Sequence, residues 1–213
     1  MATDPPGMIL AGGRAQRMGG GDKGFLPLAG RRIIDHVIAR LGPQCCALAI
    51  NANGDPARFA GFGLPVLPDP VPGFPGPLAG LLAAMDWAAG FGAGAVVTVA
   101  ADTPFLPVDL VARLTAAATG GGAIAASPDA AGELRAHPTC GLWPVALRNR
   151  LAQAIAGGER RLGVWAESCG AGRAEFGSQP FDPFFNINTP EDLAAAEALA
   201  SGQAGARDPR RIR

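Results

Sequence analysis

The stretch MILAGGRAQRMGGGDK, residues 8–23, joins a short apolar run to a loop rich in glycine and cations. The apolar start is typical of a buried strand, and the loop after it contains five glycines, with Arg14, Arg17 and Lys23 against the single acid Asp22. Glycines free backbone N–H groups to turn toward an anion, and the cations add charged donors. Because ligands of open α/β sheets gather at the carboxyl ends of strands, the stretch predicts a polyphosphate-binding loop.

Further apolar runs alternate with helix-like segments along the chain. The runs lack polar alternation, as do strands that helices cover on both faces. This rhythm predicts a three-layer α/β/α fold with a mostly parallel sheet. The predicted strands after the first lie at 47–50, 95–99, 123–126 and 142–143, and the predicted helices at 33–41, 78–89, 110–118, 145–155, 162–168 and 190–200.

The chain has 213 residues, of which 18 are basic and 18 acidic, so its formal net charge is zero. A chain of this length fits a single domain, which we place at residues 1–200. Without a basic excess, neither nucleic acid nor a membrane surface is an expected partner. Residues 201–213 combine Gly, Ala, Pro and Arg with no apolar period, which predicts a disordered basic tail.

The sequence carries no targeting or membrane signal. Its start, MATDPPG, lacks the positive and apolar regions of a secretory signal, so a cytoplasmic protein is expected. No run of about 18 apolar residues occurs, so no membrane span is predicted. Cys45, Cys46, Cys140 and Cys169 form no C-x-x-C pair and have no histidine at ligand spacing, which predicts reduced, buried thiols rather than structural zinc.

A carboxylate ends the apolar run at 95–99. The sequence AADTPF, residues 100–105, delivers Asp102 at the carboxyl end of this predicted strand, beside the predicted phosphate loop. Such a carboxylate suits Mg²⁺, which takes one or two carboxylates and completes its shell with phosphate oxygens and water. The alternative is an N-cap for the helix that begins near Pro107. The combination of loop and carboxylate favours the metal.

Two common phosphate signatures are absent. Gly19-x-Gly21-x-x-Gly24 matches the dinucleotide fingerprint in form, but it lies nine residues after the strand and no helix follows it. The sequence contains no G-x-x-x-x-G-K-[ST], which excludes P-loop ATPases and GTPases on this signal. The loop must therefore bind phosphates in another way.

Polar residues also follow the second predicted strand. Asn51 and Asn53 lie at its end, and Asp69 precedes the glycine- and proline-rich segment 73–80. Amides and a carboxylate at such positions can bind a base edge or ribose hydroxyls, although Asn and Pro-Gly segments taken singly are more often turns. Their clustering favours a nucleoside site.

The second half of the chain offers weaker signals. The adjacent Arg160 and Arg161 could bind a second anionic substrate, and the alternative is a solvated helix start. His137 is expected to be a packed or hydrogen-bonded loop residue rather than a base, because a reaction between phosphates needs little proton transfer.

These motifs, in this order and spacing, resemble the molybdenum cofactor guanylyltransferase (MobA) family over about residues 8–199. The resemblance implies a Rossmann-like nucleotidyltransferase fold and transfer of GMP from GTP to molybdopterin, with release of pyrophosphate. It also implies a GTP-binding half at about 8–115 and a molybdopterin-binding half at about 116–200. The resemblance rests on the segments 10–13, 17–19, 22–23, 76–80, 102–104, 137–139, 158–161 and 186–192.

The resemblance also implies site residues by position. GTP-binding positions fall on Leu10, Ala11, Gly12, Gly13, Lys23, Asn51, Asp69 and Asp102, and Asp102 also holds Mg²⁺. The implied catalytic set is Arg17, Lys23 and Asp102, and the implied molybdopterin contacts are Arg160, Arg161, Asn186 and Asn188. We also expect a monomer that meets molybdenum-insertion proteins and maturation factors of apo-molybdoenzymes.

Three other functions compete with this one. A cytidylyltransferase acting on the same cofactor differs in base choice alone, and the segments 10–13 and 76–80 favour guanine by resemblance. Sugar-nucleotide or polyol-phosphate cytidylyltransferases have similar phosphate loops, but the short second half and the segment 186–192 argue against the long sugar enzymes. A non-catalytic nucleotide-binding adaptor would have no need to retain both Lys23 and Asp102.

Overall fold

The computed structural model describes residues 4–12, 22–71 and 76–202. The strands in these ranges are β1 Gly7–Leu10, β2 Pro27–Leu28, β3 Arg31–Arg32, β4 Leu48–Asn51, β5 Val66–Leu67, β6 Ala95–Ala100, β7 Ala123–Pro128, β8 Leu134–Pro144 and β9 Gly172–Glu175. The α-helices are α1 Ile33–Leu41, α2 Pro77–Gly90, α3 Leu110–Ala117, α4 Arg148–Ala156, α5 Leu162–Cys169 and α6 Pro190–Ala200.

A seven-stranded sheet in the order β5-β4-β1-β6-β8-β7-β9 forms the centre of the molecule. The strands β1, β4, β5 and β6 pair in parallel. The long strand β8 runs antiparallel to both of its neighbours, and β9 pairs in parallel with β7. The prediction of a mostly parallel sheet is therefore confirmed, with β8 as the reversed strand.

Apolar side chains cover both faces of the sheet, because successive residues of a strand point to opposite sides. In β1, Ile9 belongs to a buried cluster with residues of α1 and α3, whereas Met8 belongs to a second cluster with residues of α2, α4 and α5. In β6, Val97 belongs to the first cluster and Val96 to the second. The uninterrupted apolar runs of the sequence thus produce the predicted three layers.

The main differences from the sequence prediction lie in short or polar strands. The sequence does not predict the two-residue strands β2, β3 and β5 or the strand β9, because none of them contains an apolar run long enough to indicate a strand. The strand β8 begins at Leu134, well before the predicted 142–143. Ile124 of β7 pairs with Gly141 of β8, but the next residue Ala125 pairs with His137, so β8 bulges over the residues between them, which include Pro138.

Local features of the structure bear on four smaller predictions. Gly24 lies in the 3-10 helix Lys23–Phe25, so no α-helix follows the glycine fingerprint. The helix α3 begins at Leu110, and its N-cap is Asp109, which excludes the N-cap alternative for Asp102. The cysteines are free, and the prediction of burial is confirmed for Cys140 but wrong for Cys46, which is exposed, while Cys45 and Cys169 are half-buried. No helix among the described residues is long and apolar enough to cross a membrane. The tail from residue 203 lies outside the described ranges.

Candidate active site

A cleft of about 390 Å³ opens at the carboxyl ends of the parallel strands. Its position follows from the sheet, because β1, β4, β5 and β6 all end at this edge. The predicted site residues that line it are Leu10, Ala11, Gly12, Lys23, Asn51, Asp69, Asp102 and Asn186. Gly13 and Arg17, also predicted for this site, lie outside the described residues.

Lys23 and Asp102 meet at one end of the cleft. The Lys23 ammonium donates a 2.6 Å hydrogen bond to Oδ1 of Asn188, and it lies 3.8 Å from Oδ2 of Asp102. The Lys23 and Asp102 side chains are 18% and 21% exposed, so solvent screens their attraction only in part. The predicted phosphate-loop cation and the predicted metal carboxylate therefore share one cleft.

Backbone hydrogen bonds to β1 and to the segment 186–188 fix the position of Asp102. Its preceding residue Ala101 donates its N–H to the carbonyl of Leu10, and Ile187 donates its N–H to the carbonyl of Asp102 itself. The hydroxyl of Thr103 donates to Oδ1 of Asn186 at 2.8 Å. The end of β6 is thus attached both to β1 and to the segment 186–188 that carries the asparagines.

Burial raises the pKa of the Asp102 carboxyl, and the Lys23 ammonium partly offsets this rise. A divalent cation would favour the charged carboxylate further. No group of three or more His, Cys, Asp or Glu that could hold a metal occurs in the described part of the chain. Mg²⁺ needs only one or two protein carboxylates when phosphates complete its shell, so Asp102 fits such an ion.

A hydrogen-bonded group of polar side chains forms the other end of the cleft. The amide nitrogens of Asn51 and Asn53 donate to the two oxygens of Asp69, at 3.0 and 2.7 Å. Asp69 N–H donates back to Oδ1 of Asn53 at 2.9 Å. A side chain at Gly80 would overlap Oδ1 of Asn51 and approach Cδ2 of Leu10 to 2.9 Å. Glycine at this position lets helix α2 lie directly against the amide.

Arg160 and Arg161 lie at the rim rather than among the residues that line the cleft. The Arg160 guanidinium donates to the carbonyls of Ile155 and Glu159, at 2.8 and 2.7 Å. The carboxylate of Glu159 accepts from the N–H groups of both arginines. The carbonyl of Arg160 lies 3.4 Å from the Cβ position of Gly76, which lines the cleft.

A second cavity of about 510 Å³ adjoins the cleft, and both are lined by Thr139 and Asn186. Inside it, Ser127 donates to Oδ1 of Asp182 at 3.0 Å and lies 2.8 Å from Nε2 of His137. The His137 ring stacks on Phe184 with 4.7 Å between centroids, so its packed and hydrogen-bonded state is confirmed.

Sequence reasoning missed Ser127 and Asp182. Ser127 lies near the end of a predicted strand, and this strand-end position was the one available signal for it. Asp182 belongs to the irregular segment before Asn186, where the sequence offers no pattern that would indicate its contacts.

The fold and the cleft define a nucleotidyltransferase, and residues 7–169 match the model of the MobA-like NTP transferase domain. The chain is 52% identical over 205 residues to molybdenum cofactor guanylyltransferase of Rhodopseudomonas palustris strain BisB5, covering 94% of this chain and 97% of the relative. It is 54% identical over 193 residues to the enzyme of that name from Cereibacter sphaeroides, covering 91% and 95%. The chain belongs to the molybdenum cofactor guanylyltransferase family.

Solved structures share the fold at low sequence identity. Molybdopterin-guanine dinucleotide biosynthesis protein A from Archaeoglobus fulgidus superposes with a TM-score of 0.66 at 24% identity, covering 92% of this chain and 99% of that one. A 4-diphosphocytidyl-2C-methyl-D-erythritol synthase gives 0.68 at 17% identity, covering 92% and 99%. Because proteins named for different products share this fold, the fold alone does not determine the base or the acceptor.

Proposed function

We propose that the protein transfers GMP from GTP to molybdopterin, forming the guanine dinucleotide cofactor and releasing pyrophosphate. The observation that carries the proposal is the meeting of Lys23, Asp102 and Asn188 at the end of the cleft. Family membership supports guanine as the base and molybdopterin as the acceptor. The GTP-binding half then corresponds to about residues 8–115 and the molybdopterin-binding half to about 116–200.

GTP would lie along the cleft with its two ends in different surroundings. The nucleoside end faces the polar group of Asn51, Asn53 and Asp69, and backbone from residues 10–12 borders it. The phosphate end faces Lys23 and Asp102. Gly13 and Arg17 remain part of the proposal as further phosphate contacts from the loop.

The reaction is a displacement at the α-phosphorus of GTP. An oxygen of the terminal phosphate of molybdopterin forms a bond to that phosphorus, and the bond from the phosphorus to the bridging oxygen breaks, so that pyrophosphate leaves. Lys23 stabilises charge on the reacting phosphates. The hydrogen bonds from Ile187 N–H to the carbonyl of Asp102 and from Ala101 N–H to the carbonyl of Leu10 hold the Asp102 backbone in position. Mg²⁺, which Asp102 would hold, supplies further charge neutralisation when bound.

The acceptor would approach from the side of Asn186 and Asn188. Asn186 lines both cavities, and Asn188 contacts Lys23, so these two residues of the second half border the nucleotide cleft. Arg160 and Arg161 remain proposed acceptor contacts at the rim. A change in the hydrogen bonds of Arg160 would be needed before its guanidinium could reach a ligand.

Product identification tests the proposed function directly. The protein is incubated with Mg²⁺, molybdopterin and either GTP, CTP or ATP, and the dinucleotide product is identified by mass spectrometry. We expect product from GTP alone. Product from CTP alone would instead establish the cytidylyltransferase, and binding of GTP without any product would establish the adaptor.

We further propose that the protein acts as a cytoplasmic monomer that meets molybdenum-insertion proteins and maturation factors of molybdoenzymes. Light scattering at the concentrations used for the assay tests the oligomeric state.

A further inference from the structure

One arginine outside the predicted site connects the two ends of the nucleotide cleft. Arg58 lies in the 3-10 helix Pro56–Phe62, and its Nε donates to Oδ2 of Asp22 at 2.6 Å. Its Nη2 donates to the carbonyl of Asn53 at 2.6 Å, and its Nη1 donates to the carbonyl of Asp55 at 2.9 Å. All three guanidinium nitrogens are therefore engaged.

These partners belong to both ends of the cleft. Asp22 immediately precedes Lys23, whose ammonium marks the phosphate end. Asn53 belongs to the nucleoside end, where its amide holds Asp69. A guanidinium can join such groups because its planar fork presents several donors in fixed directions.

Aromatic packing supports the same connection. The guanidinium carbon of Arg58 lies 4.7 Å from the centroid of Phe59, which is buried and lines the cleft. The Phe59 ring lies 5.0 Å from the ring of Phe25, which belongs to the same 3-10 helix as Lys23. The helix that carries Lys23 is thus held by an ion pair at its start and by ring contacts at its end.

Arg58 also neutralises the negative charge of Asp22, a residue that lines the cleft. Asp22 lines the cleft beside Lys23, so an unpaired carboxylate there would repel a triphosphate and attract the Lys23 ammonium away from it. The Arg58 and Asp22 side chains are 29% and 21% exposed, so solvent alone would screen the Asp22 charge only in part.

We propose that Arg58 is a positioning residue of the nucleotide cleft, which neutralises Asp22 and fixes Lys23 relative to Asn53 and Asp69. The proposal rests on the proposed function, since it takes the cleft to bind a nucleoside triphosphate. Arg58 acts through Asp22 and Asn53 and needs no contact with the nucleotide.

The test compares Arg58→Ala, Arg58→Lys, Asp22→Asn and the double variant Arg58→Ala/Asp22→Asn. The dissociation constant of Mg·GTP is measured by calorimetry, and kcat and KM are measured with molybdopterin. We expect Arg58→Ala to weaken GTP binding about tenfold, as loss of a charged hydrogen bond does. The KM for molybdopterin should stay unchanged. Arg58→Lys should recover part of the loss, because it restores the charge without the fork.

The double variant distinguishes the loss of Asp22 neutralisation from a general disruption of the cleft. Removing the Asp22 charge should bring GTP binding closer to the unmodified value than Arg58→Ala alone does, so the two effects will not add. Additive losses in the double variant, or unchanged GTP binding in Arg58→Ala, would overturn the proposal.

Arg113→Ala serves as the matched control. Arg113 likewise pairs with an aspartate, Asp109 at 3.7 Å, and lies over an aromatic ring, Phe176 at 4.3 Å, but none of these residues lines the cleft. It should leave GTP binding unchanged, and melting temperatures of all variants show whether each is folded. If the unmodified protein uses another nucleotide, the proposed function fails, and the same series with that nucleotide still decides the role of Arg58.

Discussion

At the scale of single residues, Asp102 is the side chain on which the proposed reaction depends most. The carboxylate is largely buried and costs free energy to ionise, yet it lies beside Lys23 at the phosphate end of the cleft. Asp102→Asn removes the charge and keeps the shape. We expect turnover to fall by a factor on the order of a hundred or more, as it does when a strong electrostatic stabiliser is lost. Turnover with saturating Mg²⁺ checks this, and an unmodified rate would remove Asp102 from the mechanism.

Lys23 should affect binding and turnover together. Its ammonium contacts Asn188 and approaches Asp102, so Lys23→Ala removes a cation from the phosphate end of the cleft and leaves Asn188 without its partner. We expect a higher KM for GTP and a lower kcat, each by about tenfold or more. Steady-state kinetics with GTP varied at fixed molybdopterin measures both. A change confined to the KM for molybdopterin would contradict a role at the nucleotide phosphates.

The strand-end rule explains which site residues the sequence could predict. Asn51, Asp69 and Asp102 each follow an apolar run, and parallel strands bring such positions to one edge of a sheet. The contact between Lys23 and Asn188 joins positions 165 residues apart, and no local pattern predicts such a pair without the resemblance. Arg58 is similar, because its neighbours in sequence give no indication that Asp22 will be its partner.

At the scale of elements, the start of helix α1 should make folding stability depend on pH. Arg32 donates to both oxygens of Asp35 through its side chain and to one through its N–H, at 2.9 to 3.0 Å. These hydrogen bonds lower the pKa of Asp35 below its ordinary value. Asp35→Ala should therefore cost about 1 kcal/mol of unfolding free energy near neutral pH.

The pKa of Asp35 is lower in the folded state than in the unfolded chain. The stabilisation that its charge provides is therefore complete above the ordinary Asp pKa of about 3.9 and is lost as the pH falls toward the lowered value. Urea unfolding of Asp35→Ala and the unmodified protein at several pH values measures the difference. Asp109→Ala is the control, since that N-cap side chain makes no capping hydrogen bond. A difference that stays constant down to strongly acidic pH would exclude the Asp35 charge as its source.

The start of helix α6 contributes both to folding stability and to the position of Asn188 in the site. Oδ2 of Asp192 accepts from the N–H groups of Asn188 and Thr189, and Thr189 Oγ1 accepts from the N–H of Asp192. Asp192→Ala should cost about 1 kcal/mol of stability and should also lower kcat, because Asn188 loses a bond that fixes its position beside Lys23. The exposed Glu191, changed to Ala, is the control for the same turn. Equal kcat values in both variants would show that the cap does not position Asn188.

The elements were predictable where a local sequence signal specified them. Strands β1 and β6 and helices α2 and α6 match their predictions because apolar runs or a Thr-Pro-Glu-Asp start specify them locally. Strand β5 has two residues, and the early part of β8 contains Pro138 and exposed Arg135, so neither shows strand periodicity. These strands form because the neighbours β4 and β7 offer free edges to pair with.

At the scale of the whole molecule, a single sheet joins the two proposed halves. Strand β6 of the first half pairs with β8 of the second, and the cleft and the second cavity meet at Thr139 and Asn186. Two substrates could therefore react across this junction without any movement between separate bodies. The junction also makes the two binding sites separable by mutation, because side chains remote from it belong to one cavity only.

Arginines in two places could hold the anionic acceptor, and a matched pair of variants distinguishes them. Arg135 is exposed and lines the second cavity, whereas exposed Arg160 donates to carbonyls of its own loop. We expect Arg135→Ala to raise the KM for molybdopterin about tenfold, as loss of a charge-assisted contact does, and Arg160→Ala to raise it less. Neither should change the dissociation constant of Mg·GTP, because neither side chain lines the cleft. The opposite order would move the acceptor to the rim beside Gly76, where the Arg160 loop would have to open before the acceptor binds.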